Sequence, residues 1–403
     1  MAAHEVLVDV TRLLGRFMNG RLPTGVDRVG LAYLAHYGHR AQAVVRWAGR
    51  GFVLPAADSA RLFALLACPA GRLRRDAWPL LAKALSLGWP ARGDAAGRFF
   101  FNTGHSGLEQ PAYPAMLGRL QARPLFFVHD LIPLTHPEYC RPGERERHAR
   151  RMDTVLDLAA GVVANSQATL DGLARYAQSQ GKPMPPAAVA WLAPGLALPA
   201  PAPRPPSGQA QDRPFGQAQD RPYFVVLGTI EPRKNHLLLL QLWRRLVERL
   251  GGAAPGLVVV GQRGWECENA LDLLERCETL RGFVAERPGC ADAELSALLL
   301  GAQALLFPSF AEGFGLPLVE ALALGVPVIA SDLPAFREVA GDIPDYLDPL
   351  DGPGWSAAVE AYAQPGSPAR AAQSRRLAGF KAPTWDEHFA VVDSLMERLD
   401  AAG

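Results

Sequence analysis

The stretch ALLFPSFAEGFGLPLVEALALGVPVIAS, residues 304–331, contains the clearest structural pattern in the chain. It begins with an apolar run, passes through a loop with two glycines and a helical segment, and ends in a second apolar run. Pro317 suits the first turn of a helix, because its fixed φ is already helical and its missing N–H is not needed there. The stretch therefore predicts a strand, a glycine loop, a helix and a strand.

Short apolar runs of the same kind recur on both sides of this stretch, with longer helical segments between them. The runs are continuous rather than alternating, which is typical of parallel strands covered by helices on both faces. We predict strands at 6–10, 98–101, 125–129, 161–164 and 188–192, and in the second half at 223–227, 257–260, 304–307 and 326–330. The two blocks indicate an α/β protein with two Rossmann-like, doubly wound parallel-sheet domains.

A segment rich in Pro, Gly, Gln and Ala, residues 194–222, separates the two blocks. It contains the sequence GQAQDRP at 208–214 and again at 216–222. Such a composition cannot bury a core, so we predict a mobile linker, and a duplicated spacer is favoured over a recognition motif. The predicted domains are 1–193 and 223–380, followed by a C-terminal helix within 381–403.

Composition excludes several classes of protein. The 403 residues are 49% apolar and 20% charged with a formal net charge of +1, which argues against a surface built wholly for nucleic acid. Five cysteines are too few for a disulfide scaffold in a chain of this length. None of them forms a C-x-x-C pair, so neither a structural zinc site nor a thioredoxin-type motif is predicted. The N-terminus lacks a secretory signal pattern and no apolar run is long enough to cross a membrane. We expect a cytoplasmic protein.

The glycine loop places chemistry beside the predicted helix. Gly313 and Gly315 allow close approach of backbone to a ligand, and the amides of Gly315 and Leu316 would offer a phosphate site at the helix N-terminus. Glu312 precedes the helix and Glu320 lies within it. Two such carboxylates suit acid–base chemistry, as in glycoside hydrolysis, or the binding of sugar and ribose hydroxyls. The spacing alone also fits a capping and a solvated glutamate, but the glycine loop and flanking strands favour a functional pair.

Together these motifs resemble the retaining nucleotide-sugar glycosyltransferases of family 4, which have the GT-B fold. The resemblance is dense from 223 to 346, where it rests on Glu312-x7-Glu320, LGTIEPRKN at 227–235, VVGQRGW at 259–265 and GFV at 282–284. In the first half it is limited to PTGVDR at 23–28, FVHD at 127–130 and ANS at 164–166. It implies an acceptor-binding and a nucleotide-sugar-binding domain that face a central cleft, with the final helix crossing back to the first domain.

The resemblance also implies the catalytic residues. Arg233 and Lys234 are expected to hold the diphosphate, and two adjacent cations at the start of a helix suit phosphate oxygens on physical grounds as well. A solvated basic turn is the alternative, and Asn235 is the expected cap of that helix. Glu312 is expected to hydrogen-bond the transferred sugar. His129 is expected to contact the donor sugar or an acceptor hydroxyl.

Further residues are expected to bind the donor. Glu320 would accept the two ribose hydroxyls, and Gly25 would lie in a loop that approaches the phosphates. Phe283 and Val284 would line the base. The other expected donor-binding residues are Gly228, Ser166, Gly313, Phe314, Gly315 and Leu316.

Several polar residues in the first half have two open interpretations. His129 follows a buried strand, where a lone histidine is often a core residue, although its match to the family favours a functional role. Asp130 would either orient His129 or cap the next turn. Ser166, beside Asn165, would either contact phosphate or cap the next helix. His105 is a loop candidate to which the resemblance assigns no role.

No metal is expected, because no D-x-D motif occurs and Arg233, Lys234 and helix N-termini would replace Mg²⁺ at the diphosphate. The family reaction is a front-face transfer in which the leaving phosphate takes the proton of the acceptor. The expected donor is GDP-mannose, with a UDP-sugar as the alternative. The expected acceptor is a saccharide or lipid-linked saccharide in the synthesis of a surface polysaccharide such as lipopolysaccharide, and no cofactor is expected.

Other classes of protein also have doubly wound domains or bind nucleotide sugars. A nicotinamide or flavin enzyme would carry G-x-G-x-x-G after its first strand, and the chain has TRLLG at 11–15 instead. A non-catalytic nucleotide-sugar-binding protein is the alternative of a different class, and a sugar phosphorylase or hydrolase is a third. Nucleic acid is not an expected partner.

A basic and aromatic stretch in the first half suggests contact with the inner face of a membrane. A solvated helix surface explains it equally well. The residues are Arg72, Arg74, Arg75, Trp78, Lys83, Trp89 and Arg92, and a second basic cluster comprises Arg141, Arg145, Arg147, Arg150 and Arg151.

Overall fold

The computed structural model describes residues 6–21, 23–67, 73–86, 95–196 and 221–402, without the side chains of 73, 74, 84 and 85. These residues form two compact units. The first comprises Met1–Thr135, Gly143–Leu192 and Thr384–Gly403, and the second comprises His136–Pro142 and Ala193–Pro383. Most of the predicted linker, 197–220, lies outside the described residues.

The first unit contains a seven-stranded sheet with the order β3-β2-β1-β4-β5-β6-β7. All neighbouring strands are parallel except β2 and β3, which form an antiparallel hairpin at one edge. The strands are β1 (Val6–Asp9), β2 (Ala41–Trp47), β3 (Arg50–Val53), β4 (Phe99–Asn102), β5 (Arg123–Val128), β6 (Gly161–Ala164) and β7 (Ala187–Val189).

Parallel neighbours cannot be joined by a tight turn, so helices form the crossovers between these strands. They are α1 (Thr11–Met18), α2 (Gly25–Tyr37), α3 (Ala56–Ala67), α4 (Leu73–Ser86), α5 (Tyr113–Leu120), α6 (Ile132–Thr135), α7 (Glu144–Leu158) and α8 (Gln167–Ser179). A core of fully buried side chains, among them Phe100, Phe126 and Met152, packs between the sheet and its helices.

The second unit contains a six-stranded sheet, all parallel, with the order β10-β9-β8-β11-β12-β13. Its strands are β8 (Tyr223–Leu227), β9 (Gly256–Val260), β10 (Val284–Arg287), β11 (Leu305–Phe307), β12 (Val328–Ser331) and β13 (Asp345–Leu347). Its helices are α9 (His236–Leu250), α10 (Glu268–Arg276), α11 (Asp292–Gly301), α12 (Leu316–Ala323), α13 (Pro334–Ala340), α14 (Gly352–Ala363) and α15 (Pro368–Leu377).

The last helix, α16 (Trp385–Ala401), belongs to the first unit. Thr384 caps it: its hydroxyl accepts from the Glu387 amide at 3.2 Å, and the Glu387 carboxylate accepts from the Thr384 amide at 2.9 Å. His388 fastens the helix, because its Nδ1 lies 2.9 Å from the Trp191 carbonyl oxygen and its Nε2 lies 3.1 Å from the Tyr33 hydroxyl. The end of the chain is thus tied to residues of the first half.

Two parallel-sheet α/β units confirm the predicted fold class, and each predicted strand is present with ends shifted by a few residues. Four strands were not predicted, namely β2, β3, β10 and β13. Three of them lie at sheet edges. Edge strands are half exposed and carry polar side chains, as in VAER of β10 and DYL of β13, so they lack the continuous apolar pattern.

Membrane-spanning helices are not found among the described residues, where no helix is both long and apolar enough.

Candidate active site

Loops that follow β8 and β11 bring the predicted catalytic residues of the second unit together. These strands are parallel neighbours, so their carboxyl ends lie at the same edge of the sheet, which we call the carboxyl edge. Arg233 and Lys234 follow β8, and Glu312 follows β11, 78 positions after Lys234. The sequence predicted that all three residues follow strands. The order of the strands in the sheet brings them together.

Four charged side chains at this edge form one network, which we call the charged quartet: Glu231, Arg233, Lys234 and Glu312. Arg233 donates from Nη2 to Glu231 Oε1 at 2.7 Å and contacts Glu312 Oε2 through Nη1 at 2.8 Å. Lys234 donates from Nζ to Glu312 Oε1 at 2.5 Å. Arg233 Nη1 also donates to the carbonyl oxygen of Ala311 at 2.7 Å, which fixes the plane of the guanidinium.

Glu231 and Lys234 are buried and Arg233 and Glu312 are partly buried, and this burial competes with charge in setting the protonation of the quartet. Burial works to raise the pKa of Glu312, but Arg233 and Lys234 outweigh it and lower that pKa to about 2. Burial lowers the pKa of Lys234 and raises that of Glu231. Glu312 is therefore ionised at neutral pH. Its stabilising contribution is present above the ordinary carboxyl pKa and is lost as the pH falls towards 2.

Glu231 is the member of the quartet that the sequence analysis missed. It lies inside the EPRK segment that was quoted for the resemblance, but no role was given to it. The available signal was a carboxylate two residues before a cation at the end of a strand. Its burial, 5% exposed, and its contact with Arg233 become visible only in three dimensions.

The glycine loop and helix after β11 have the predicted geometry. Gly315 is the N-cap of α12, with Pro317 in the first turn, so the helix N-terminus lies where a phosphate site was expected. Gly315 has a φ of +98°, and a Cβ there would lie 2.6 Å from the ring of Phe336. The side chain of Phe314 is buried at 4% exposed, so only its backbone is available to a ligand at this loop.

Glu320 lies in α12 and is buried. Its Oε1 accepts a hydrogen bond from the amide of Gly195 at 3.1 Å, a residue at the start of the predicted linker. Its role toward ribose hydroxyls stays a prediction.

Backbone geometry after β8 differs from expectation at one position. Asn235 occupies the N-cap position of α9, but its φ is +55° and its side chain makes no capping hydrogen bond. Its side-chain amide instead donates to the carbonyl oxygen of Pro349 at 2.9 Å, because the left-handed backbone turns the side chain away from the helix.

Gly228 provides space for the side chain of Lys234. Its φ is +146°, and a Cβ there would lie 3.3 Å from Lys234 Cε.

The structure does not bring Phe283 and Val284 to the carboxyl edge. Val284 begins β10 and Phe283 precedes it, so both lie at the amino end of a parallel strand, opposite the quartet. The Arg221 guanidinium lies 3.9 Å from the ring centroid of Phe283. The resemblance assigned GFV to the segment that lines the base. The segment that follows β10 at the carboxyl edge is instead PGCA at 288–291.

In the first unit, His129 follows β5 and is buried at 8% exposed. Its Nε2 lies 2.7 Å from the carbonyl oxygen of Thr103 and therefore carries a proton. Burial lowers the pKa of His129 to about 4, so the ring is neutral at pH 7. Such a ring can donate or accept hydrogen bonds but does not supply a positive charge.

Two other buried histidines adjoin His129. The ring centroid of His105 lies 5.4 Å from that of His129 and 5.6 Å from that of His148, and His105 has a φ of +55°. His148, on α7, was missed because one histidine on a helix carries no signal. Its Nε2 lies 3.1 Å from the Asp130 carbonyl oxygen. Asp130 Oδ1 accepts from the Ile132 amide at 3.1 Å, which selects the turn-capping alternative.

Ser166 and Gly25 have local roles that the sequence left open or misassigned. Ser166 is the N-cap of α8 and accepts from the Thr169 amide at 3.0 Å, as in the capping alternative. Gly25 lies at the first position of α2 rather than in a loop. Thr24 and Asp27 form a capping box there, and this capping makes the segment helical from Gly25 onward.

Metal-binding clusters of three or more His, Cys, Asp or Glu side chains are not found in the described part of the chain.

Comparison with known proteins identifies the class. Residues 208–343 match the family described as Glycosyl transferases group 1. Two solved structures align along almost the whole chain at 16% identity. The HepE protein of Anabaena, in complex with UDP and glucose, gives a TM-score of 0.65 over 98% of this chain and 99% of its own. The sucrose-phosphate synthase of Thermosynechococcus elongatus gives 0.61 over 99% of both chains. The fold is therefore GT-B.

Curated relatives cover shorter regions. The O-antigen chain mannosyltransferase B of Escherichia coli is 37% identical over 164 residues, which are 41% of this chain and 42% of that protein. The serotype-specific mannosyltransferase WbdA of Escherichia coli is 30% identical over 229 residues, which are 53% of this chain and 26% of that protein. The alignments thus span less than half of each relative. The chain thus has the GT-B fold, and its residues 208–343 are similar to the glycosyl transferases group 1 family.

Proposed function

We propose that the protein is a retaining glycosyltransferase of family 4. It transfers mannose from GDP-mannose to a saccharide or lipid-linked saccharide during synthesis of a surface polysaccharide. The observation that carries the proposal is the charged quartet, in which a buried Lys234 and a partly buried Arg233 lie at the carboxyl edge of a Rossmann-like sheet. The names of the mannosyltransferase relatives support mannose as the sugar. A UDP-sugar is the second candidate donor, favoured by the UDP-bound HepE structures.

The quartet suits the departure of a diphosphate. As the bond between the anomeric carbon and the phosphate oxygen breaks, negative charge grows on the diphosphate, and Arg233 and Lys234 are preorganised to stabilise it. The acceptor oxygen forms the new bond on the same face, and its proton passes to the departing phosphate oxygen. Before the donor binds, Glu312 pairs with both Arg233 and Lys234. When the diphosphate of the donor binds these two cations, Glu312 is able to accept a hydrogen bond from a hydroxyl of the sugar.

His129 acts in this proposal as a neutral hydrogen-bonding group. Its lowered pKa and its bond to Thr103 leave it unsuited to protonate the leaving group at neutral pH. We therefore assign the acceptor's proton to the departing phosphate rather than to the histidine.

A screen of nucleotide sugars tests the proposal. With a mannosylated oligosaccharide as acceptor, GDP release is expected from GDP-mannose, and NMR of the product should show the anomeric configuration of the donor. Transfer should persist in excess EDTA, because the cations of the quartet take the place of Mg²⁺. Complete loss in EDTA that Mg²⁺ restores would overturn the metal-independent mechanism. Donor binding without transfer to any acceptor tried would favour the non-catalytic alternative.

Peripheral membrane contact is a separate part of the proposal. Trp78 on α4 is 57% exposed, which suits an interfacial anchor. The basic charge around it is partly compensated, since Lys83 pairs with Asp58 and Arg75 with Asp76. Arg72, Trp89 and Arg92 lie outside the described residues, as does the side chain of Arg74.

The second basic cluster is less suited to a membrane. Arg147 and Arg151 pair with Glu144, and Arg151 also pairs with Glu109. Arg141 lies over the ring of Trp265. We therefore place the membrane contact at the surface around Trp78.

Flotation with anionic liposomes tests this contact. The wild-type protein should float at low salt and remain at the bottom at high salt, because the attraction of basic side chains to anionic lipid is screened. The double variant Trp78→Ala, Arg75→Glu should remain at the bottom at low salt. Trp191→Ala, which removes another exposed tryptophan of the same unit, should float like the wild type. A wild-type protein that never floats would exclude membrane contact.

A further inference from the structure

Glu231 occupies a position in the quartet that neither the motif nor the family match explains. Its side chain is buried, and its Oε1 accepts a hydrogen bond from Arg233 Nη2 at 2.7 Å. The opposite nitrogen of the same guanidinium contacts Glu312 Oε2 at 2.8 Å and the Ala311 carbonyl oxygen at 2.7 Å. Arg233 is therefore held from two sides, by a carboxylate of its own loop and by the loop after β11.

Glu231 also sets the net charge of the quartet. With all four side chains ionised, the quartet contains two positive and two negative charges, so its net charge is zero. Without Glu231 the net charge would be +1 in a buried site, where a single charge acts more strongly than in water. A more positive site would bind a nucleoside diphosphate more tightly, and the product of transfer is a nucleoside diphosphate.

We infer that Glu231 is a positioning residue that orients Arg233 and, by its charge, keeps the site from retaining the nucleoside diphosphate after transfer. This inference rests on the proposed function. Glu231 does not touch the reacting atoms. It acts through Arg233, whose two nitrogens are thereby directed to fixed acceptors before the substrate arrives.

The variant Glu231→Gln separates charge from shape. Glutamine keeps an oxygen that accepts from Arg233 but removes the negative charge. We expect the Kd for GDP or UDP, measured by calorimetry, to fall about tenfold, the order expected when one opposing charge is removed from a buried site. The kcat should fall as well, because product release becomes slow, and rapid mixing should show a burst of product in the first turnover. The KM for the donor should not rise.

A merely structural role gives the opposite pattern. A side chain that only supports the loop would, when changed, weaken GDP and UDP binding and lower the thermal midpoint of unfolding. Unchanged or weaker binding by folded Glu231→Gln would therefore overturn the inference. The matched control is Glu360→Gln, which also removes one negative charge and an ion pair of the second unit, here with Arg249, and it should leave Kd and kcat unchanged.

A second variant covers the case in which Glu231→Gln does not fold. Glu231→Asp keeps the charge but shortens the arm, so the Kd for GDP or UDP should stay within about a factor of two while kcat falls. A marked change of its Kd in either direction contradicts the inference. If the wild-type protein binds neither GDP nor UDP, the proposed function fails and the inference fails with it. Wild-type binding without the expected change in the variants contradicts the inference alone.

Discussion

Lys234→Ala is expected to lower the turnover of sugar transfer by about 10²-fold or more while the protein stays folded. The ammonium group lies at one end of the quartet, 2.5 Å from Glu312, and the residue is 9% exposed. A preorganised cation in a water-poor site stabilises charge that develops in the transition state, and loss of one such contact costs about 10²–10³-fold. Glu312 keeps Arg233 as a partner in this variant, so no buried carboxylate is left alone.

Glu312 gives the complementary variant. Glu312→Ala is expected to lower turnover to a similar extent, but it also leaves Lys234 and Arg233 with one carboxylate fewer, and breaking a buried pair is destabilising by about 3–5 kcal/mol. The unfolding midpoint must therefore be measured beside kcat. Turnover close to that of the wild type in either folded variant would remove that residue from its assigned role.

Glu320→Ala should mainly weaken nucleotide binding.

Gly261→Ala is expected to destabilise the second unit by about 3 kcal/mol or more. Gly261 follows β9 with a φ of +154°, and a Cβ there would lie 2.0 Å from the carbonyl oxygen of Gly228 and 2.6 Å from its carbonyl carbon. The obstacle is backbone rather than a side chain that could rotate, so β8 and β9 would have to separate at their carboxyl ends. Positive φ and overpacking each cost about 1–3 kcal/mol.

Gly261→Ala is also expected to disturb the quartet. Gly228 begins the loop that holds Glu231, Arg233 and Lys234, so displacement of Gly228 should also weaken GDP or UDP binding. The control is Gly252→Ala, where a Cβ would meet nothing within 4 Å, and its effect should stay within about 1 kcal/mol. Denaturant unfolding of both variants measures the difference. Equal stability of the two variants would contradict this assignment of Gly261.

The sequence predicted the regular part of the fold because its central strands are apolar throughout. β1, β5, β6, β9 and β11 are buried on both faces, and a doubly buried strand must be written as a continuous apolar run. Edge strands are not buried on both faces and therefore need no continuous apolar run. β10 has two charged residues in four and no continuous apolar run, so the position of Phe283 and Val284 at its amino end was not visible in the sequence.

The sequence also located the cations and Glu312, because each follows a recognisable strand and two glycines mark the loop. What it determined by itself is therefore the class of fold, the strand ends at which chemistry occurs, and the residue types found there. It did not show that β8 lies beside β11, since the strands between them in the chain are placed elsewhere in the sheet. That order brings Glu312 to Lys234.

Tertiary structure alone decided three features of the site. Glu231 became part of the quartet, His148 joined His105 and His129, and the α16 residue His388 bonded to Tyr33, 355 positions away. The contacts of His148 and His388 join elements that are far apart in the chain, whereas Glu231 lies two residues from Arg233 and is distinguished by its burial. A single sequence records strand ends but not which separate loops meet. The physical reason is that sequence patterns follow the periodicity of local structure, whereas these contacts are set by strand order and helix packing.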